Sequence, residues 1–228
     1  SKYTAYSVKS TRLKASIDYR VAKGVTLAGG FDGDERVRSY LAATMTRENQ
    51  FWGRVSAALF DGVTASVRVA HADRTHSPYG SITWGAAPQN PLSRVTFLAE
   101  RTRNTLGARV DMALGEKINL AVHFDAYDDV YPDTAIGLRS ARGAGGGEEL
   151  GFAVDENTQL YAFAQDEQSR ARQFGSEAFA AADWQGRTAD SAQVAGVGVR
   201  HVALGGKLEV NADVVLARSR QQTVVEGL

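Results

Sequence analysis

The chain has 228 residues, with 26 Lys+Arg against 26 Asp+Glu, a formal net charge of zero at pH 7 and no cysteine. The balanced charge excludes a general nucleic-acid binder, which needs surplus basic residues to release counterions. The missing cysteine excludes disulfides, thiolate metal sites, cysteine nucleophiles and C-x-x-C-H haem attachment by this chain.

No run approaches the roughly 20 apolar residues of a spanning helix, whereas a spanning strand needs only about 9–11. The mean hydropathy of −0.27 does not speak against such strands, because lipid-facing and lumen-facing residues alternate and cancel. No Pro-rich linker, charge block or low-complexity tract divides the chain, so residues 1–228 are expected to form a single domain. A start at Ser1 and an end at Val-Val-Glu-Gly-Leu, without an aromatic terminal residue, are expected of a section of a longer or processed chain.

Ten strands are predicted, at 3–20, 25–40, 45–60, 63–75, 95–113, 118–129, 146–154, 158–171, 188–203 and 207–219. In the first, Leu13, Ala15, Ile17 and Tyr19 share one face, and Arg12, Lys14, Asp18 and Arg20 share the other. Val-Ala-Lys-Gly at 21–24 turns the chain into the second strand, where Val25, Leu27 and Phe31 oppose Thr26, Asp32 and Asp34. Asp32-Gly-Asp-Glu35 lacks the full calcium-loop pattern and fits a polar strand face leaving the membrane zone. Phe51, Val55 and Leu59 oppose Trp52 and Arg54 on the third strand, and Asp61-Gly62 leads to Val63, Val67 and Val69 opposing Arg68 on the fourth.

A long connection at 76–94 follows. Leading into it, His71 and His76 bracket the stretch His-Ala-Asp-Arg-Thr-His with Asp73 between them, but five residues of extended chain put the two imidazoles on opposite faces, so no metal site is expected. On the fifth and sixth strands, joined by Gly-Glu-Lys at 115–117, Leu106, Val110 and Met112 oppose Arg109 and Asp111, and Ile118, Leu120 and Phe124 oppose His123 and Asp125. His123 and Asp125 share a face and could pair as acid and base; without a nucleophile nearby, a hydrogen bond at the lumen is the better reading.

The next connection, at 130–145, ends in Gly143-Ala-Gly-Gly-Gly147. A phosphate cradle would need a helix after it; a flexible loop leading into a strand is expected instead. The seventh and eighth strands, around Asp-Glu-Asn at 155–157, alternate least clearly, because Leu160 and Phe163 fall on opposite faces. After a loop at 172–187, the last pair turns at Gly205-Gly206, with Leu208, Val210, Val214 and Leu216 opposing Glu209, Asn211 and Asp213.

Alternation alone also suits a soluble sandwich. Long strands, short turns that alternate with long loops, and a meander order favour an all-β, antiparallel, up-and-down transmembrane β-barrel of the outer membrane, with about ten strands here as part of a larger barrel. The apolar faces then meet lipid, and an Arg or Lys there would cost roughly 2–4 kcal/mol near the midplane. Tyr19, Tyr40, Phe51, Trp52, Phe60, Tyr79, Tyr127, Tyr131 and Trp184 lie near turns and loops, where an aromatic girdle would sit. No Ser-His-acid or metal constellation can be assembled, so no catalytic residues and no enzymatic activity are expected.

The segment order resembles the decahaem-associated outer-membrane β-barrel family, the MtrB/PioB family. The resemblance is carried by Asp18-Tyr-Arg-Val-Ala-Lys-Gly-Val-Thr-Leu-Ala-Gly-Gly-Phe-Asp32, Phe51-Trp-Gly-Arg54, Asp61-Gly-Val and Ala70-His-Ala-Asp-Arg74. It continues through Asn90-Pro-Leu92, Ala99-Glu-Arg-Thr-Arg103, Tyr131-Pro-Asp with Ile136-Gly-Leu138, and Leu160-Tyr-Ala-Phe163. Each segment is short; their order and spacing span nearly the whole chain.

The resemblance implies a sheath that houses and insulates a periplasmic multihaem c-type cytochrome, for electron transfer across the bacterial outer membrane. The partner carries the haem; this chain would bind no cofactor and no metal. Arg12, Lys14, Asp18, Arg20, Arg54, Arg68, Arg101, Arg103, Arg109, Asp111, His123, Asp125 and Asp213 would then face the lumen and contact the cytochrome, while the long loops could meet an extracellular cytochrome. Family members are longer, and a closed barrel of ten strands would be too narrow for such a partner. The alternative function is a passive diffusion porin.

Overall fold

The computed structural model describes residues 6–80 and 90–228. Ten antiparallel strands run β1 (Val8–Ala22), β2 (Val25–Arg38), β3 (Met45–Phe60), β4 (Val63–His76), β5 (Arg101–Leu114), β6 (Ile118–Val130), β7 (Gly137–Ala153), β8 (Thr158–Gly175), β9 (Trp184–Ala203) and β10 (Leu208–Gly227). Each pairs with the next in sequence, in the order β1 to β10, and β1 does not pair with β10. The result is an open up-and-down meander. Among the described residues there is no α-helix and no second sheet to cover either face.

The short turns are tight for identifiable reasons. Gly24 and Gly62 have φ of 80° and 77°, a region that costs other L-residues roughly 1–2 kcal/mol. A Cβ on Gly62 would also lie 2.5 Å from the carbonyl oxygen of Ala113 on the neighbouring hairpin. At the β7–β8 turn the backbone N–H of Asn157 and the hydroxyl of Thr158 donate to Asp155 at 2.8 and 3.2 Å. These bonds, the first above all, hold the Asp155 carboxyl below its usual range.

Strand pairing separates the two faces. Leu13, Ile17, Leu27, Val55, Val67, Leu106, Val122, Leu160, Val197, Val214 and Leu216 all fall on one side of the sheet. Ile17 and Leu216 are each 73% exposed. A contiguous apolar face of this extent needs an apolar solvent. On β5 the outward positions Leu106, Ala108, Val110, Met112 and Leu114 are uninterrupted, which gives a band about 25 Å tall.

The upper boundary of this band crosses the pairing register diagonally. Phe31, the last apolar outward residue of β2 before Gly33 and Glu35, aligns strand by strand with Asp128 on β6 and Gln222 on β10. On β10 the band stops at Leu216, six residues nearer the short turn than Gln222. Over the intervening strands this offset corresponds to an inclination of roughly 30° between strands and band, which suits strands tilted through a membrane.

Several boundaries differ from the sequence expectation. The first strand begins at Val8, not residue 3; residues 1–5 lie outside the described residues. The fifth begins at Arg101, not 95, because Val95–Ala99 forms a turn with Leu98 N–H and Ala99 N–H both donating to the Val95 carbonyl. Leu98 and Ala99 are buried there, Leu98 against Ala42 and Ala43 with Leu41 and Tyr79 alongside. The alternation of Val95, Phe97 and Ala99 mimicked a strand.

The seventh strand starts at Gly137, so Gly143–Gly147 is strand and not the flexible loop expected. The eighth, ninth and tenth also extend further, to Gly175, from Trp184 and to Gly227. Above the apolar band both faces of these strands are polar, which erased the period-two signal. The long connections shrink accordingly, and residues 81–89 of the one at 76–94 lie outside the described residues.

Candidate functional site

The thirteen residues predicted for the lumen all lie on the polar face, from Arg12 on β1 to Asp213 on β10. Arg54, Arg68, Arg103, Arg109, His123 and Asp125 line one groove of about 1040 Å³ at the centre of this face, floored by Gly107, Gly143 and Gly145. Lys14, Arg20 and Asp213 stand apart on the outer strands.

Most of the charges pair within the wall. Arg12 lies 3.7 Å from Asp34. Arg54 and Arg68 are direct cross-strand neighbours, a like-charge arrangement that must be relieved. Arg54 reaches Asp18 two strands away at 3.5 Å, while the Arg68 guanidinium stacks 5.1 Å from the Trp52 ring centre. Arg109 pairs with Asp111 on its own strand at 2.8 Å.

Near the long loops the pairing is tighter. Arg103 donates through Nε and Nη2 to the two oxygens of Asp129 at 2.6 and 2.5 Å, and its guanidinium lies 5.3 Å from the Tyr127 ring centre. Arg101 donates to Glu48 at 2.8 Å and also approaches Asp129. Arg74, opposite Arg101, donates instead to the carbonyls of Ala99 and Thr96 at 2.9 and 2.6 Å. That pair of bonds folds the β4–β5 connection against the polar face.

Asp133 fastens the same end: it lies 2.8 Å from His76, 3.3 Å from Arg94, and accepts the Glu100 N–H at 3.1 Å. Burial pushes the hydroxyls of Tyr79 and Tyr131 in these loops above the usual tyrosine range.

His123 makes neither an acid–base pair with Asp125 nor the lumen hydrogen bond expected of it. Its Nδ1 is buried without a hydrogen-bond partner, and its ring instead lies against Gly147. His71 and His76 fall on opposite faces, His71 hydrogen-bonded to Asn104 and Asp73 at 2.8 and 3.0 Å. Among the described residues no cluster of three His, Asp or Glu could hold a metal.

One recurring device was missed from the sequence. The polar-face aromatics Trp52, Tyr127, Tyr161, Phe163 and Trp184 each lie directly across the strand boundary from a glycine, Gly30, Gly143, Gly198, Gly196 and Gly175. A Cβ on Gly30 or Gly143 would lie 2.5 Å from the facing ring, and at Gly198 and Gly175 the clash would be closer still. The rings therefore lie flat on the wall. Trp52, Tyr127 and Trp184 consequently belong to the polar face and not to an interfacial girdle; Tyr19, Phe51 and Phe60 are the members of the proposed set that face outward and are exposed. Gly143, Gly145 and Gly147 at period two were the available signal, because they mark one face of a strand.

Residues 1–228 match the family model described as "Putative outer membrane beta-barrel porin, MtrB/PioB". The chain is 28% identical over 223 residues to outer membrane protein MtrB of Shewanella baltica (strain OS185), covering 97% of this chain and 32% of that protein. It thus spans about a third of the length of the curated relative it matches. Among solved structures, in-vitro folded OmpT of Vibrio cholerae gives a TM-score of 0.41 at 11% identity, covering 98% of this chain and 96% of that chain. Its loop L8 deletion mutant gives 0.40 at 9%, covering 97% and 98%.

Proposed function

The chain belongs to the MtrB/PioB family of outer-membrane β-barrel porins, and from that premise we propose that it forms part of the wall of a sheath around a periplasmic multihaem c-type cytochrome. The polar face is the lumen wall, and the cytochrome fills the space in front of it. The partner carries the haem and performs the electron transfer. This chain does no chemistry; it holds lipid away from the haem wire and fixes its position.

The observation that carries this reading is the low relief of the polar face. Its aromatic rings lie on glycines, and Arg54, Arg103 and Arg109 are each neutralised by a carboxylate beside them in the wall. Such a surface can approach another protein closely without burying unpaired charge, which would be costly. A selectivity filter would instead gather charge of one sign into a ring. The inward-folded β4–β5 connection narrows the long-loop end, where it supports a seated partner.

Purification of the full-length protein in mild detergent tests the proposal. Co-elution of a haem-staining protein at fixed stoichiometry is expected. A haem-free preparation that conducts ions steadily in planar bilayers would replace the sheath with a passive diffusion porin.

A further inference from the structure

Arg142 on β7 and Arg170 on β8 are direct cross-strand neighbours on the outward face, and so are Arg172 on β8 and Arg187 on β9. On the polar face, like-charge neighbours of this kind are relieved by carboxylates, rings or carbonyls, as at Arg54 and Arg68 or Arg74 and Arg101. On the outward face the first pair is not, and the second is relieved only in part. Arg142 and Arg170 are exposed, and no carboxylate within ion-pair reach, hydrogen bond or ring serves either among the described residues. Arg172 donates to the neutral Gln185 at 2.7 Å and stacks 5.0 Å from the Phe174 ring centre, and Arg187 has only a loose pairing with Glu226 at 3.6 Å.

Apart from Glu226, nearby acids do not neutralise the patch. Asp128 aligns with Arg142 but forms no ion pair with it, and Asp166 is held by Gln168 and Gln193 at 3.3 and 2.9 Å. Two further arginines, Arg218 and Arg220, extend the patch down to Leu216, where the apolar band ends. The patch is therefore continuous with the lipid-facing surface and lies on its long-loop side, the side that faces outward from the cell in barrels of this kind. Arg142 and Arg170, opposed with free planar forks and with the partly engaged Arg172 and Arg187 beside them, are a site for a multiply charged anion bearing phosphate oxygens.

We infer that this arginine patch docks the phosphorylated headgroups of an anionic glycolipid of the outer leaflet. The opposed guanidiniums clamp the phosphates, and the acyl chains lie along the apolar band below. The inference rests on outer-membrane residence and is independent of what fills the lumen.

The test uses the full-length protein in nanodiscs and purified lipopolysaccharide as the probe. The variant R142Q/R170Q/R172Q/R187Q is compared with R47Q, which removes an outward arginine already paired with Glu35 at 2.6 Å. The fourfold variant should bind lipopolysaccharide at least about tenfold more weakly at moderate salt, and R47Q should bind like the parent. Dephosphorylated lipopolysaccharide should lose the difference. Heat-modifiable gel migration confirms that each variant is folded, and a variant that fails this check is replaced by the pair R142Q/R170Q. Equal binding by parent and folded variant, or equal binding of dephosphorylated lipid, would overturn the inference. So would loss of a haem-staining partner with lipid binding unchanged, which would make the patch a protein interface.

Discussion

Asp129 takes both prongs of the Arg103 guanidinium across the β5–β6 boundary and also approaches Arg101, with its own side chain 3% exposed. One carboxylate thus holds two arginines at the long-loop end of the wall. Asp129→Asn leaves Arg103 without a counter-charge, while Arg101 keeps Glu48, and removing one partner of a buried pair costs about 3–5 kcal/mol. Thermal unfolding of the detergent-solubilised protein, followed by circular dichroism, should show a correspondingly lower midpoint. The double variant D129N/R103Q should recover part of the loss; equal damage in the single and double variants would refute the pairing.

Gly143→Ala puts a methyl group where the Tyr127 ring lies. The ring must lift off the wall, at a cost of about 1–3 kcal/mol from overpacking, and project into the space proposed for the cytochrome. Haem retained after detergent purification should fall even where the barrel still folds. G143A/Y127A should restore it, a rescue that a purely backbone effect at residue 143 would not give.

Gly62→Ala combines a backbone φ of 77° with a carbonyl oxygen 2.5 Å from the new methyl group. Because that oxygen belongs to the adjacent hairpin's backbone, it cannot swing aside as a side chain would. The expected loss exceeds the roughly 1–2 kcal/mol of the left-handed conformation alone. It should be visible as a smaller folded fraction by heat-modifiable migration; a variant that folds like the parent would contradict the turn geometry.

Asp155 supplies the pH dependence. Its folded-state pKa is depressed, so its contribution is present above the unfolded value of about 3.9 and is lost as pH falls through the lower folded value. Hydrogen exchange in the β7–β8 hairpin should therefore be insensitive to pH around neutrality, after correction for intrinsic rates. Opening should increase below about pH 4. D155A should show the open-turn behaviour at both pH values, and protection unchanged by D155A would remove the capping role.

Leu98→Ser tests the inward fold of the β4–β5 connection. Leu98 is 1% exposed within a small cluster, so the substitution should cost on the order of 2–4 kcal/mol locally while leaving the strand ladder intact. Limited proteolysis near residues 95–100 should accelerate several-fold with the barrel still folded. Unchanged cleavage would mean that the Arg74 bonds hold the connection without Leu98.

How much was legible in the sequence depended on where the alternation was enforced. Between Leu106 and Phe124 lipid demands an apolar residue at every second position, so strands, faces and turn were readable from period two. Beyond the band, at Arg142, Arg172 and Arg187, neither face is apolar and the strands became invisible, although the backbone ladder continues. The polar face itself was assigned from the residues opposite the lipid face, which parity alone dictates. The partners were not, because Asp18 meets Arg54 across an intervening strand and Asp129 meets Arg103 through a register that only folding sets. Gly143 to Gly147 misled most: glycine weakens strand propensity, and only the facing rings explain why these positions hold no side chain.

The ring-on-glycine pairs also constrain how this wall can change over generations. Neither member of a pair is free to vary alone: a side chain at 143 collides with Tyr127, whereas loss of Tyr127 uncovers position 143 and makes it permissive. Accessible mutational routes therefore pass through the smaller ring partner first and the glycine second. Each pair acts as a ratchet with one passable order of steps, so substitutions at Gly30, Gly143, Gly196 and Gly198 should be found only on backgrounds where the opposing ring has already gone.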